Sequence, residues 1–218
     1  MKSILLPALL ALALSACATT ADLPRNYTLE ATQQEGLAIV SLTLSGKALD
    51  RYSSFEFQVR EVSAKTADPI VTKRHFDSPT QHARWAARGK EDGAADWRTI
   101  IKGPNSSEPL DINTGGVPVG RVVSLRLPAG EYEFYAWTLR EADAYGSVES
   151  SPARAFSYRF TVSPGGATYI GQLNLQVSEQ GSAITVEDRR ERDIALLGQK
   201  APTIVAAPIH SDIRRIQP

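Results

Sequence analysis

Four kinds of side chain in this chain of 218 residues have the chemistry to do something specific. There is one thiol, Cys17, and its isolation excludes both a disulfide framework and a thiolate metal site built from several cysteines. Glu131 and Glu133 stand two apart on one strand-like run, a spacing of roughly 6.6 Å, and paired carboxylates can hydrolyse glycosides. Two acids on adjacent positions of one face share the same solvent, however, and nothing in the pattern sets their proton affinities apart. They are therefore expected on a solvated face. His75, His82 and His210 are far apart and lack metal-ligand spacing, so satisfied or solvent-facing histidines are expected and no metal is. No Gly-x-Ser-x-Gly elbow, His-Glu-x-x-His, phosphate-binding glycine loop or calcium loop occurs. The fourth group is aromatic. Trp85, Trp97, Trp137 and Tyr135 are the candidates for binding by stacking or by filling a partner's pocket.

Position decides what Cys17 is for. Met1-Lys2 is a short positive start, Ile4 to Leu14 is apolar, and Leu14-Ser15-Ala16-Cys17 follows at once. Eleven residues are too few to span a bilayer, which takes about 20, so this reads as a secretory signal. The layout resembles the lipobox of bacterial lipoproteins. That resemblance implies acylation of the Cys17 sulfur, cleavage before it and acylation of the new amino terminus. Ala18 stands where an aspartate would favour retention in the inner membrane, so the expected location is the periplasmic face of the outer membrane. Each buried methylene contributes roughly 0.8 kcal/mol, and three chains would make release negligible.

Cleavage there removes Lys2 and no acid, leaving the mature chain with one acid in excess. Such a balance points to no polyanionic partner, nucleic acid included. With no cofactor motif either, none is expected.

The elements that must position these residues follow from periodicity. Residues 17 to 35 read as the lipidated cysteine and a flexible tether, small or polar with little pattern. From Gly36 the period becomes two. Strands are predicted over Leu37–Leu44, Tyr52–Val62, more weakly Ile70–Phe76, then Val122–Leu127, Glu131–Leu139, Ala155–Val162, Thr168–Val177 and a last one ending near Val186. Pro128-Ala129-Gly130 and Ser163-Pro164-Gly165-Gly166 supply turns. Phe55, Phe57 and Val59 share one face of the second strand, and Tyr169, Leu173 and Leu175 are read as one face of the seventh. One short helix is predicted from Asp188 and Glu191, with Ile194 and Leu197 on one side and Gly198 as its C-cap. The fold class is therefore an all-β antiparallel sandwich of about seven or eight strands with one short C-terminal helix, following a signal peptide over residues 1–16. The sandwich domain spans 36–198, and 199–218 is a tail.

Two features stay open at this level. On the Glu131–Leu139 strand both faces are apolar, Tyr132, Phe134 and Ala136 on one and Tyr135, Trp137 and Leu139 on the other. Either the strand is covered on both sides, or Tyr135 and Trp137 form an exposed platform; coverage is expected, because large exposed aromatic patches are uncommon on monomers. The insertion from Asp77 to Gly120 is longer than a connection needs to be. It holds Trp85 and Trp97, and from Lys73 to Lys102 it carries seven basic side chains against four acidic ones. It is either a binding loop or a cover for the core.

The run Leu127-Pro128-Ala129-Gly130-Glu131-Tyr132 through Phe160-Thr161-Val162-Ser163-Pro164-Gly165-Gly166-Ala167-Thr168-Tyr169-Ile170-Gly171, with Asp193-Ile194-Ala195-Leu196-Leu197 beyond it, resembles uncharacterised bacterial lipoproteins with a prealbumin-like or carboxypeptidase-regulatory-like sandwich. The likeness rests on turn chemistry and core pattern, so it implies fold and brings no catalytic residues. The expectation is a non-enzymatic binding or scaffolding module of the cell envelope. Its partner would be an envelope protein or peptidoglycan; the alternatives are a carbohydrate-binding module acting through tryptophan and a hydrolase with a site assembled from distant residues.

Overall fold

A computed structural model describes residues 23 to 62 and 96 to 217, apart from 24, 31, 33, 47, 114, 116, 144, 145, 153 and 180. The residues 1–16 read as a signal sequence, Cys17, the strand expected at 70–76, His75, His82 and Trp85 lie outside the described residues.

The described residues form ten strands in two five-stranded sheets packed face to face. The first sheet contains β1 (Glu35–Gly46), β4 (Val119–Pro128), β8 (Ala167–Ser178), β9 (Gly181–Glu187) and β10 (Ile209–Ser211), in the order β10-β8-β1-β4 with β9 also on β8. The second contains β2 (Tyr52–Glu61), β3 (Asp96–Lys102), β5 (Gly130–Asp143), β6 (Gly146–Ser150) and β7 (Tyr158–Val162), in the order β3-β2-β5-β6 with β7 also on β5. The all-β sandwich is thus as the periodicity implies. Within it β1 and β10 both run parallel to β8, so the first sheet is mixed, while every pair in the second is antiparallel. The Ser163-Pro164-Gly165-Gly166 turn forms as predicted: Gly165 takes φ 63°, and the Gly166 N–H donates to the Ser163 carbonyl at 3.1 Å.

Helix α1 (Arg190–Lys200) and a single turn α2 (Pro202–Val205) lie on the outer face of the first sheet. This third layer explains why nine consecutive residues of β1, Gly36 to Leu44, are buried: Ala38, Val40, Leu42 and Leu44 face the second sheet, and Leu37 and Ile39 face the helices. The Arg190 N–H donates to Asp188 Oδ1 at 3.0 Å, but the N-cap residue is Arg189 and no side chain caps it, so the capping box expected from Asp188 and Glu191 does not form. Gly198 does not end the helix. The helix continues to Lys200 and is stopped by Pro202, and Gly198 leaves room for the Val205 side chain.

Two departures from strict alternation correct the predicted faces. In β5, Val59 pairs with Phe134 and Gln58 with Ala136, so Tyr135 is an extra residue and the phase flips there. Tyr132, Phe134, Trp137 and Leu139 consequently all enter the core between the sheets. In β8, Ile39 pairs with Tyr169 and Ser41 with Gln172, and Gly171 takes up the slack at φ 96°, a conformation costly for any residue with a Cβ. Tyr169 therefore faces the helices, not the side of Leu173 and Leu175, whose place is taken by Ile170.

Each irregularity also divides an edge. One side of β8 is filled by β1, and the other is shared between β10, opposite residues 167–169, and β9, opposite 172–178. One side of β5 is filled by β2, and the other is shared between β7 and β6. The C-terminal residues close the gap between the sheets. Asp212 N–H donates to the Tyr169 carbonyl at 2.9 Å, Arg214 reaches Thr161 Oγ1 at 2.9 Å, and Gln217 exchanges backbone bonds with Ser157 at 2.8 and 2.9 Å. The tail expected over 199–218 is in this way part of the fold, because it satisfies backbone groups that two sheet edges would otherwise leave open.

The core between the sheets is aromatic. Phe57 meets Phe55 and Phe134 edge to face at centroid distances of 6.3 and 6.1 Å, and Tyr132 stacks on Phe160 at 5.7 Å. Burial pushes the phenols of Tyr132 and Tyr158 up to about 12 from an ordinary 10.0. Both stay protonated in the fold at a pH where they would ionise in an unfolded chain. The stability they contribute is complete below pH 10 and is lost as pH climbs from there through about 12. The denaturation midpoint should fall across that window as phenolate absorbance rises; a midpoint that stays level throughout would contradict the assignment.

Candidate functional site

The outer face of the second sheet carries a cluster of interlocked charged side chains. Three strands build it by cross-strand pairing: β2 contributes Glu56, Gln58 and Arg60, β3 contributes Arg98, and β5 contributes Glu133 and Tyr135. Arg60 sets both Nε and Nη2 on Glu133 Oε1, at 2.7 and 2.6 Å. Ser157 Oγ donates to the other oxygen, and Arg159 Nε stands 3.9 Å from it. The Arg60 guanidinium also lies over the Tyr135 ring, 4.4 Å from its centroid. Beside this group Arg98 Nε is 3.7 Å from Glu56 Oε1, which also accepts from Gln58.

Glu133 is 5% exposed, whereas Glu131 is open to solvent. The shared solvated face expected for the pair is wrong for Glu133, because Arg60 and Ser157 supply the polar partners that let a carboxylate be buried. Chemically, Glu133 is an acceptor with both oxygens engaged. The arrangement fixes three strands relative to one another and presents a patterned polar surface.

A second cluster lies between α1 and the first sheet. Asp193 is fully buried, and its Oδ2 accepts from Ser41 Oγ at 2.6 Å and from the Tyr169 hydroxyl at 2.8 Å. Its Oδ1 accepts from Arg192 at 2.6 and 2.9 Å, and Arg192 continues to Gln172 Oε1 at 2.7 Å. Burial first, and the Asp193 carboxylate second, hold the Tyr169 phenol far above its ordinary value. Ser41 donates to a carboxylate here and faces no open cleft, so this serine, acid and tyrosine form a clasp for the helix. Lys200, in the last turn of α1, makes a third link: its Nζ is 2.8 Å from Asp111 Oδ2 and 2.9 Å from the Val122 carbonyl.

A shallow cleft of about 460 Å³ lies between Thr185 and Val186 of β9 and residues Ile213 to Ile216. The Arg214 guanidinium in its wall is held by Asp212 at 2.7 to 3.0 Å and by Thr161. Among the described residues no three His, Cys, Asp or Glu side chains gather as they would around a metal ion, and no helix is long and apolar enough to cross a membrane.

Of the aromatic candidates, Trp137 and Tyr135 do not share a face. Trp137 is 4% exposed inside the sandwich, and Tyr135 is half-buried beneath Arg60. The exposed platform is therefore not formed, and the cause is the bulge at Tyr135. Trp97 lies on β3 opposite Val59, and Trp85 is outside the described residues. His210 is exposed on β10. The residues 96–102 of the predicted insertion are a strand of the second sheet, with Ile101 fully buried, and Ile112 bridges to Gly120.

Sequence reasoning missed Arg60 and Asp193 as organising residues. For Asp193 a signal existed: it stands four residues before Leu197, hence on the buried side of the helix, where an acid needs a partner.

No protein-family model matches the chain, and no curated protein matches it. A solved structure of a leucine-rich repeat protein from Bacteroides thetaiotaomicron VPI-5482 is similar over 66% of this chain and 14% of that one, at 13% identity and a TM-score of 0.34. The chain spans about a seventh of the length of that protein.

Proposed function

We propose that this protein is a lipid-anchored component of the outer membrane, facing the periplasm, and that it acts without catalysis as a binding or scaffolding module of the cell envelope. The observation that carries the reading is Leu14-Ser15-Ala16-Cys17 directly after the apolar run from Ile4, with Cys17 the sole cysteine. The resemblance of its second half to sandwich-bearing bacterial lipoproteins supports the same reading. Two facts support binding through one segment. The β2–β3 pairing continues to Arg60 opposite Asp96, a separation that a turn of about 2 to 5 residues closes. The chain instead spends residues 63–95 there, including Trp85 and a basic excess, and tryptophan is enriched at binding hot spots.

The test replaces 63–95 by a short Asn-Gly turn, leaving β3 and Ile101 in place. The shortened domain should keep its denaturation midpoint within about 1 kcal/mol, since loop-closure entropy changes slowly with length. Crosslinking in intact envelopes should then lose the species that the full-length protein captures. Unchanged capture would move the binding site off this segment. Release of the captured species by cell-wall digestion would favour the carbohydrate-binding reading, which now rests on Trp85 and Trp97.

A further inference from the structure

The residues that follow the lipidated cysteine are expected as a loose tether through residue 35, yet they dock long before that. Leu23, Tyr27 and Leu29 pack against the apolar cluster formed by α1, α2 and the first sheet. The Arg25 guanidinium reaches the Gln199 carbonyl at 3.4 Å, and Thr203 Oγ1 donates to the Arg25 and Tyr27 carbonyls at 3.2 and 2.5 Å. Only residues 18–22 separate Cys17 from this docked segment.

We propose that the helical layer is the side of the protein that faces the bilayer, and that the outer face of the second sheet points away from it. The proposal rests on the acylation of Cys17 put forward above. Six Cα-to-Cα steps, at most about 3.3 to 3.6 Å each, let Leu23 stand no more than roughly 20 Å from the acylated cysteine. A helical layer about 10 Å thick and two sheets about 10 Å apart, with the side chains beyond them, place the outer face of the second sheet roughly 25 Å or more from Leu23. That face cannot rest on the membrane while Cys17 is held in it. The bilayer is therefore the occupant of the helical side.

The tether, rather than charge, sets this orientation. Exposed Arg189 and Arg190 are flanked by exposed Asp188 and Glu191, so this end of the helical side carries charges of both signs.

Acylation consumes the only native thiol, which makes single introduced cysteines unique reporters. Gln199→Cys reports on the helical layer, Lys102→Cys on the far sheet, and Ala206→Cys is a second reporter on the near side; all three positions are exposed. Each labelled, full-length acylated variant is reconstituted into vesicles of phosphatidylethanolamine and phosphatidylglycerol containing an acceptor-labelled lipid. Energy transfer from positions 199 and 206 should exceed that from 102 at least twofold, and should not change in vesicles of phosphatidylcholine alone. A 20-residue Gly-Ser spacer inserted after Ala21 should bring the three values together. Equal or greater transfer from 102 in acylated protein overturns the orientation while leaving the anchor intact. Palmitate labelling that persists in Cys17→Ala, or that is absent from the native chain, overturns the anchor itself.

Discussion

Replacing Asp193 by alanine is expected to destabilise the fold by about 3 to 5 kcal/mol, the usual cost of removing one member of a buried, hydrogen-bonded charged group. The carboxylate satisfies Ser41 on β1, Tyr169 on β8 and Arg192 on its own helix, and it is fully buried. Arg192 is one-third exposed and can turn to water, but the hydroxyls of Ser41 and Tyr169 lose a partner inside the protein. Asp193→Asn keeps an acceptor at the same place and should lose less than alanine does. Urea titration of both variants gives the comparison. A loss under 1 kcal/mol for alanine would mean that water enters and takes over the carboxylate's bonds.

Phe57→Ala should cost a similar amount, about 3 to 5 kcal/mol, through lost burial and an unfilled cavity. Phe57 has no exposed surface, is flanked in the sheet by Thr99 and Trp137, and meets two phenyl rings edge to face. Its neighbours belong to three strands, so the space it leaves cannot close by moving one side chain. Glu131→Ala, on the exposed end of β5, should change stability by no more than about 0.5 kcal/mol. Matching losses at the two positions would place Phe57 on the wrong face of its strand.

The runs Phe55-Phe57-Val59 and Tyr158-Phe160-Val162 were readable because alternation is unbroken through each of them. Tyr135 and Gly171 defeat such reading. A period of two assumes that every residue advances the phase, and a single extra residue reverses all that follows it, which is how Trp137 seemed to oppose Phe134 and Tyr169 to accompany Leu173. β3 is hidden for another reason: Asp96-Trp97-Arg98-Thr99 carries too few apolar residues to stand out, and its membership of the sheet is conferred by β2. The Asp193 clasp joins residues 152 apart in sequence, and Glu133 reaches Arg60 across 73. Composition names such residues, but only the pairing of strands tells which acid meets which partner.

The position of β1 has a consequence for how the molecule is made. Its two neighbours in the sheet are β4 and β8, and among the described strands between β1 and β8 in the chain β4 alone pairs with it. At about 5 to 20 residues per second, the roughly 120 residues between β1 and β8 take some 6 to 24 seconds to synthesise. Throughout that interval Leu37-Ala38-Ile39-Val40-Ser41-Leu42-Thr43-Leu44, uncharged and free of proline, has no native partner on one side. It is the kind of segment that pairs with copies of itself when left open. A chain of this design is open to self-pairing until its second half has arrived, and a variant that delays β8 should be lost to aggregation before its folded stability is ever tested.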